Sequence, residues 1–264
     1  MTLFPLAVAF VLGAAIGSFC NVVIYRLHAG DSPTRGRSYC PHCKHSLAAA
    51  DLIPLLSFAL LRGKCRYCRQ PISWQYPAVE LAMAALSVLM VQRFDLSVAA
   101  AVGVALSAFF VIIFVYDLRH QLILDRVSIP AAIVALAGSL AIGRSVRSVL
   151  LGGLIGGGFF LLQYVLSKGR WMGGGDIRLG AALGFALGWP LIGVGLVLSY
   201  LTGAVVALPL LVAKKSSWSS LLPFGTFLTV AGLVTFLYGD AILHWYLRGG
   251  FFDFVVSLLP EPQL

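Results

Sequence analysis

Apolar stretches about twenty residues long recur along almost the whole chain, separated by short polar joints. A helix needs about 20 mainly apolar residues to cross the hydrocarbon core of a bilayer. Backbone polar groups there must be satisfied within the segment itself, and a helix does this. Apolar stretches of this length or shorter lie at about 3–24, 78–92, 96–116, 128–142, 148–166, 177–187, 191–212 and 223–247. The expected fold is all-α, a polytopic membrane protein of about eight transmembrane helices, with residues 1–264 forming a single integral membrane domain. The charged fraction of 11%, against roughly 25% in soluble domains, agrees with a bilayer as solvent. The first stretch has no basic start and no clear cleavage site, so it reads as a retained helix rather than a signal peptide.

A net charge of +9 would suit nucleic acid or anionic lipid on a soluble domain. In a polytopic chain the distribution of Lys and Arg sets the orientation instead, so membrane lipid and not nucleic acid is the expected surrounding. With the N-terminus outside, all of the 19 basic residues except Arg93, Arg144, Arg147 and Arg248 fall in cytosolic joints. The Gly188-Trp189-Pro190 string reads as a tight external turn between two helices, the alternative being a kink within one. No repeat with a period of 20–50 residues is evident. Gly152, Gly153, Gly156, Gly157 and Gly158 give overlapping small-residue spacings that suit close helix packing.

The one long polar joint, residues 27–76, is a cytosolic insertion between helices 1 and 2 and carries four of the five cysteines. They form two knuckles, Cys40-Pro41-His42-Cys43 and Cys65-Arg66-Tyr67-Cys68. Paired C-x-x-C knuckles place four thiolates around one tetrahedral Zn²⁺. Disulfides are the competing account, and the reducing cytosol disfavours them. Four sulfur ligands leave no open coordination position, so the expected zinc is structural. His42 and His45 flank the first knuckle as substitute ligands, while Cys20 stands apart in an apolar helix as a packed thiol.

Carboxylates at membrane depth are costly and are functional candidates when they face the protein interior. Asp117 ends the apolar run 109–116, and Asp176 follows Gly173-Gly174-Gly175 and opens the helix beginning near Ile177. Both belong to the cytosolic face. Two aspartates from the ends of different helices can share a proton, one activating water and the other protonating a carbonyl oxygen. The glycines remove side chains, tolerate unusual backbone angles and let an extended peptide approach. By helix position alone, Asp176 lies at a positive helix end and Asp117 at a negative one. Glu80 sits just inside the second helix, where an acidic residue suits the positive end. Asp125 reads either as a site residue or as a cap for the helix near Ser128.

Several motifs in order resemble the type IV prepilin peptidases, a family of GxGD membrane aspartyl proteases. They are the segment Gly17-Ser18-Phe19-Cys20-Asn21 continuing to Leu27, the two cysteine knuckles, Tyr76-Pro77-Ala78-Val79-Glu80-Leu81, the pair Asp117 and Asp125, Met172-Gly173-Gly174-Gly175-Asp176, and Leu222-Pro223-Phe224-Gly225. Leu124 stands where the family usually has proline, and Arg178 where it commonly has lysine. The resemblance implies a bacterial inner-membrane enzyme with a cytosol-facing site, Asp117 and Asp176 as catalytic pair, and Asp125, Glu80, Gly173, Gly174 and Gly175 as substrate-binding residues. It implies prepilin or pseudopilin precursors as partners, in type IV pilus assembly, type II secretion or DNA uptake. It also implies N-methylation of the new amino terminus with S-adenosylmethionine, for which no nucleotide-binding glycine fingerprint follows a strand. Two other classes compete: a proton- or cation-coupled transporter using the same aspartates, and a non-enzymatic zinc-bearing assembly factor. No inverted repeat favours the transporter.

Overall fold

The computed structural model describes residues 3–33, 35–212 and 223–249, without the side chains of 210 and 211. Lys214, Lys215, Leu222, Asp253 and Glu261 lie outside the described residues. The helices are α1 (Leu3–Ala29), α2 (Leu56–Leu60), α3 (Gln75–Phe94), α4 (Val98–His120), α5 (Asp125–Ala141), α6 (Val146–Ser167), α7 (Gly174–Leu187), α8 (Leu191–Val212) and α9 (Phe224–Leu247). All but the short α2 fall on the expected apolar stretches. Among the described residues, strand pairing is limited to the isolated bridges Tyr39–Ser46 and Lys64–Pro71.

Local signals set the helix ends. The hydroxyl of Ser97 accepts the Ala100 N–H at 3.3 Å ahead of α4, and that of Ser145 accepts the Ser148 N–H at 3.2 Å ahead of α6, as helix N-caps do. Gln121 and Lys168, with φ of 51° and 52°, close α4 and α6 in the left-handed conformation. Helices α3 and α5 begin at Gln75 and Asp125, three residues earlier than the apolar pattern alone suggests, because their first turns are polar.

Among the described residues, six helices are long and apolar enough to cross a membrane: α1, α3, α4, α6, α8 up to Pro209, and α9. The chain is thus a multi-pass membrane protein. Helices α5 and α7 have 17 and 14 residues, roughly 25 and 21 Å at 1.5 Å per residue. A short α7 is tolerated because it packs against α5, α6, α8 and α9, with Leu179 and Ala182 fully buried. Protein, not lipid, surrounds it. The lipid-facing surface is as apolar as the core: Leu154, Leu162 and Val165 of α6 are exposed while Phe160 on the same helix is buried, as expected of a helix hydrophobic on all sides.

Helices α6 and α7 approach backbone to backbone. A Cβ on Gly156 would stand 2.2 Å from the Gly180 carbonyl oxygen, and one on Gly152 would stand 2.3 Å from that of Gly184. Glycine on both helices allows this contact. Gly158, by contrast, faces open space. The expected turn at 188–190 is present, held by Ser148 Oγ donating to the Trp189 carbonyl at 2.7 Å and by Arg144 on the Leu187 carbonyl. Arg93 Nε also donates to a carbonyl, that of Leu237, at 2.9 Å.

The connections alternate between two faces. The end of α1, the α4–α5 joint, the α6–α7 joint and the start of α9 line one cavity, and the cysteine segment borders a second cavity with Arg119 at the end of α4. His28 and His120 stack across the ends of α1 and α4 with centroids 4.2 Å apart.

Candidate active site and metal centre

Asp117 belongs to the last turn of α4 and is 4% exposed; Asp176 belongs to the first turn of α7 and is 8% exposed. Both line a single cavity of about 690 Å³, and the carboxylates are near enough to feel each other's charge. Asp176 Oδ2 accepts the N–H of Gly173 at 3.0 Å. Helix α7 starts at Gly174, so Asp176 is its third residue and reaches back over its own helix start.

Asp117 is held from outside its own helix. Its Oδ2 accepts the Thr226 N–H at 2.8 Å and the Thr226 hydroxyl at 3.2 Å. Thr226 lies in the first turn of α9, so α9 presents N-terminal amides to this carboxylate. The contrast expected between a carboxylate at a positive helix end and one at a negative end disappears, since both meet the start of a helix. Thr226 is the functional candidate that sequence reading missed. Its signal is adjacency to Pro223-Phe224-Gly225, but a threonine in an apolar helix looks like ordinary packing until α4 and α9 are brought together.

Ile123 links the two carboxylate-bearing segments. It is buried in the α4–α5 joint, and a Cβ on Gly175 would come within 2.7 Å of its Cβ, while one on Gly225 would meet its Cδ1 at 2.8 Å. Gly175 is therefore small to admit Ile123. The three glycines do not use the unusual backbone angles allowed for at sequence level, because Gly173 is extended at φ −80° and none of the three has positive φ. Gly174 faces open space, leaving that part of the rim clear for a peptide backbone.

Asp125, Gly173, Gly174 and Gly175 line the same cavity as the two buried aspartates. Asp125 is the first residue of α5 and makes no capping bond; it pairs with Arg178 of α7. Leu124, where proline was expected, has φ −78°, close to the roughly −65° that proline imposes, so the joint keeps a proline-like turn. Glu80 lies elsewhere. It is 7% exposed, its Oε2 accepts the Leu55 N–H at 2.8 Å, and it lines the second cavity, beneath the cysteine segment.

The two cysteine knuckles are copies of one local structure. In each, the first cysteine N–H donates five residues ahead, Cys40 to the His45 carbonyl at 3.0 Å and Cys65 to that of Gln70 at 2.9 Å. Lys44 and Arg69 follow the second cysteines with φ of 58° and 61°. The four Sγ atoms lie within 4.8 Å of one another, with Cys40 and Cys68 3.8 Å apart. A tetrahedron with Zn–S bonds of about 2.3 Å has edges of about 3.8 Å, so Cys40, Cys43, Cys65 and Cys68 fit a metal ion. His45 stacks on Tyr67 with centroids 3.7 Å apart, outside the ligand set.

Asp51 binds the second knuckle to the turn before α2. It accepts from Arg66 Nε at 2.6 Å, the Tyr67 hydroxyl at 3.0 Å and the Ala48 N–H at 3.1 Å. Burial works against its charge, but Arg66 and the other donors outweigh it and hold its carboxyl below the usual range. The contact is present above the ordinary carboxylate pKa and is lost only as pH falls through the lowered value.

The fold and the site together define a polytopic helical membrane protein with a buried two-carboxylate cavity at one face and a cluster of four cysteines positioned to bind a metal ion. Residues 11–94 match the bacterial peptidase A24 N-terminal domain, and residues 104–208 match the type IV leader peptidase family. The chain belongs to the type IV leader peptidase family. It is 34% identical to the prepilin leader peptidase/N-methyltransferase of Aeromonas hydrophila, over 91% of this chain and 93% of that protein. It is 32% identical to the protein of the same name in Bacillus subtilis (strain 168), over 92% of this chain and 98% of that one. No solved structure matches the chain.

Proposed function

We propose that this protein cleaves the leader from prepilins or pseudopilins at the cytosolic face of the bacterial inner membrane and N-methylates the new amino terminus. The observation that carries the cleavage reading is the placement of Asp117 and Asp176, from α4 and α7, on one cavity within electrostatic reach of each other. The pair shares a proton. One carboxylate takes a proton from the attacking water while the other gives one to the scissile carbonyl oxygen, and the leaving amine is protonated as the tetrahedral intermediate collapses. Thr226 and the Gly173 N–H fix the two carboxylates before substrate arrives.

The hydrophobic helix of the substrate stays in the bilayer while its leader reaches the cavity rim. Trp171, 66% exposed beside the cavity, suits the membrane interface. Asp125 attracts a basic leader residue by exchanging its contact with Arg178. A zinc ion at the four thiolates holds the cysteine segment folded and takes no part in cleavage. The cytosolic orientation is supported by the basic residues that gather on the face of the cavity. S-adenosylmethionine is the methyl donor, supported by the N-methyltransferase names of the relatives.

The test is purified protein incubated with a prepilin, with and without S-adenosylmethionine, followed by mass measurement of the product. The expected result is leader loss in both samples and one added methyl only with the donor. An intact prepilin in both would defeat the cleavage reading, and cleavage without methylation would defeat the second activity alone.

A further inference from the structure

The second cavity, about 470 Å³, lies between the cysteine segment and the membrane helices α1 and α3. That volume is within the roughly 300–1,000 Å³ range of small-molecule sites. Its wall includes Ser18, Asn21 and Tyr25 from α1, Tyr76 and Glu80 from α3, and Arg119 from the end of α4. We propose that this chamber binds S-adenosylmethionine, with Glu80 as the anchor for its ammonium group; the proposal rests on the methyltransferase reading above.

Three observations carry it. Glu80 is a buried carboxylate whose protein partners are the Leu55 N–H and the Ser18 hydroxyl. A carboxylate accepts about four hydrogen bonds, so acceptor capacity remains for a cationic donor. Of the other charges on the wall, Arg26 is occupied by the backbone carbonyls of Ser32, Pro33, Arg35, Gly36 and Arg37, and Arg66 by Asp51. Arg119 makes no ion pair among the described residues and matches the ligand's carboxylate.

The second observation is a forced orphan. Asn21 Nδ2 donates to the Tyr76 carbonyl at 3.0 Å, which turns Asn21 Oδ1 towards Gln75 Nε2 at 3.1 Å. Gln75 Oε1 is then buried with no hydrogen-bond partner in the protein. Flipping the Gln75 amide would set two oxygens against each other, so both amides are fixed and hold Asn21 in place on the chamber wall. The tyrosines supply π-faces for an adenine ring and a sulfonium.

The third is position. Helix α1 gives Leu27 to the aspartate cavity and Tyr25 to the chamber; α4 gives Asp117 to one and Arg119 to the other. The two cavities are therefore lined by neighbouring turns of the same two helices, so a freshly cut amino terminus is released next to the chamber. In the transfer, the neutral amine nitrogen bonds to the methyl carbon, the carbon–sulfur bond breaks with its electron pair left on sulfur, and the amine's proton goes to water.

The experiment measures binding of S-adenosylmethionine and S-adenosylhomocysteine to the full zinc-loaded chain in nanodiscs, by calorimetry and by photo-crosslinking of tritiated S-adenosylmethionine with peptide mapping. Zinc content and thermal unfolding check that each variant is folded. Glu80→Gln is expected to weaken binding at least tenfold and Arg119→Gln several-fold, with label in the peptides holding Tyr25 or Tyr76. Wild-type affinity in a folded Glu80→Gln variant, or label confined to the peptides holding Asp117 and Asp176, overturns the site while methylation by wild type still stands. Wild type that neither binds the donor nor methylates overturns both.

Discussion

Thr226 decides where one of the two carboxylates points. Its two donors on Oδ2, with the Gly225 N–H beside them, tie Asp117 to the start of α9, and preorganisation at a two-carboxylate site depends on such fixed contacts. Asp117→Asn and Asp176→Asn are each expected to lower leader cleavage by at least about 10²-fold while leaving membrane insertion intact, since neither alters packing volume. Wild-type processing by either variant in a membrane cleavage assay would remove the aspartyl mechanism. Thr226→Val keeps the backbone N–H and removes the hydroxyl. Its expected effect is a roughly tenfold fall in kcat, about 1.4 kcal/mol of transition-state stabilisation, at unchanged KM, with recovery in Thr226→Ser. If Val and Ser variants behave alike, the hydroxyl does not position Asp117.

At the level of elements, α7 is set by its glycines. Because Gly156 meets the Gly180 carbonyl at only 2.2 Å from a built Cβ, Gly156→Ala must push α6 and α7 apart, and overpacking of this kind costs about 1–3 kcal/mol. Displacing α7 also displaces Asp176, so cleavage and thermal stability should fall together. Gly158→Ala, facing open space, should change neither, and equal losses in both variants would mean that the α6–α7 contact is not what matters. The glycine run made this packing legible in the sequence, but not its partner, since Gly180 and Gly184 are unremarkable until the two helices are aligned. The cysteine segment behaves as a separate element. Its short helix α2 has no buried residue, so the thiolate cluster and the Asp51 contacts order it, together with its ties to Arg26 of α1 and Glu80 of α3. Replacing all four cysteines with serine should abolish bound zinc, measured by metal analysis, and open residues 30–74 to protease while the membrane helices stay protected. Zinc retained in that variant would place the metal elsewhere.

For the whole molecule, helix number and order were legible because apolar length is a property of each segment alone. The grouping of residues into cavities was not, because it depends on which helices pack together. Asp117, Asp125 and the three glycines meet Asp176 on one cavity, whereas Glu80 faces another, and no spacing in the chain distinguishes them. Orientation belongs to this scale too. The joints carrying Leu122 and Trp171 share the cavity face, and those carrying Leu96 and Trp189 belong to the opposite ends of the same helices. All four side chains are at least half exposed. The cavity face holds most of the basic residues, and positive joints stay cytosolic. Single cysteines at Leu96 and Trp189 should therefore react with a membrane-impermeant maleimide in intact cells, and cysteines at Leu122 and Trp171 only after the membrane is permeabilised. Each variant is compared with the wild-type chain, because Cys20 is buried in α1 but Cys43 is exposed in the segment beside the cavity face and sets the background after permeabilisation. Labelling of the Leu122 and Trp171 positions in intact cells, with protection of the other two, would invert the orientation and place the aspartate cavity outside.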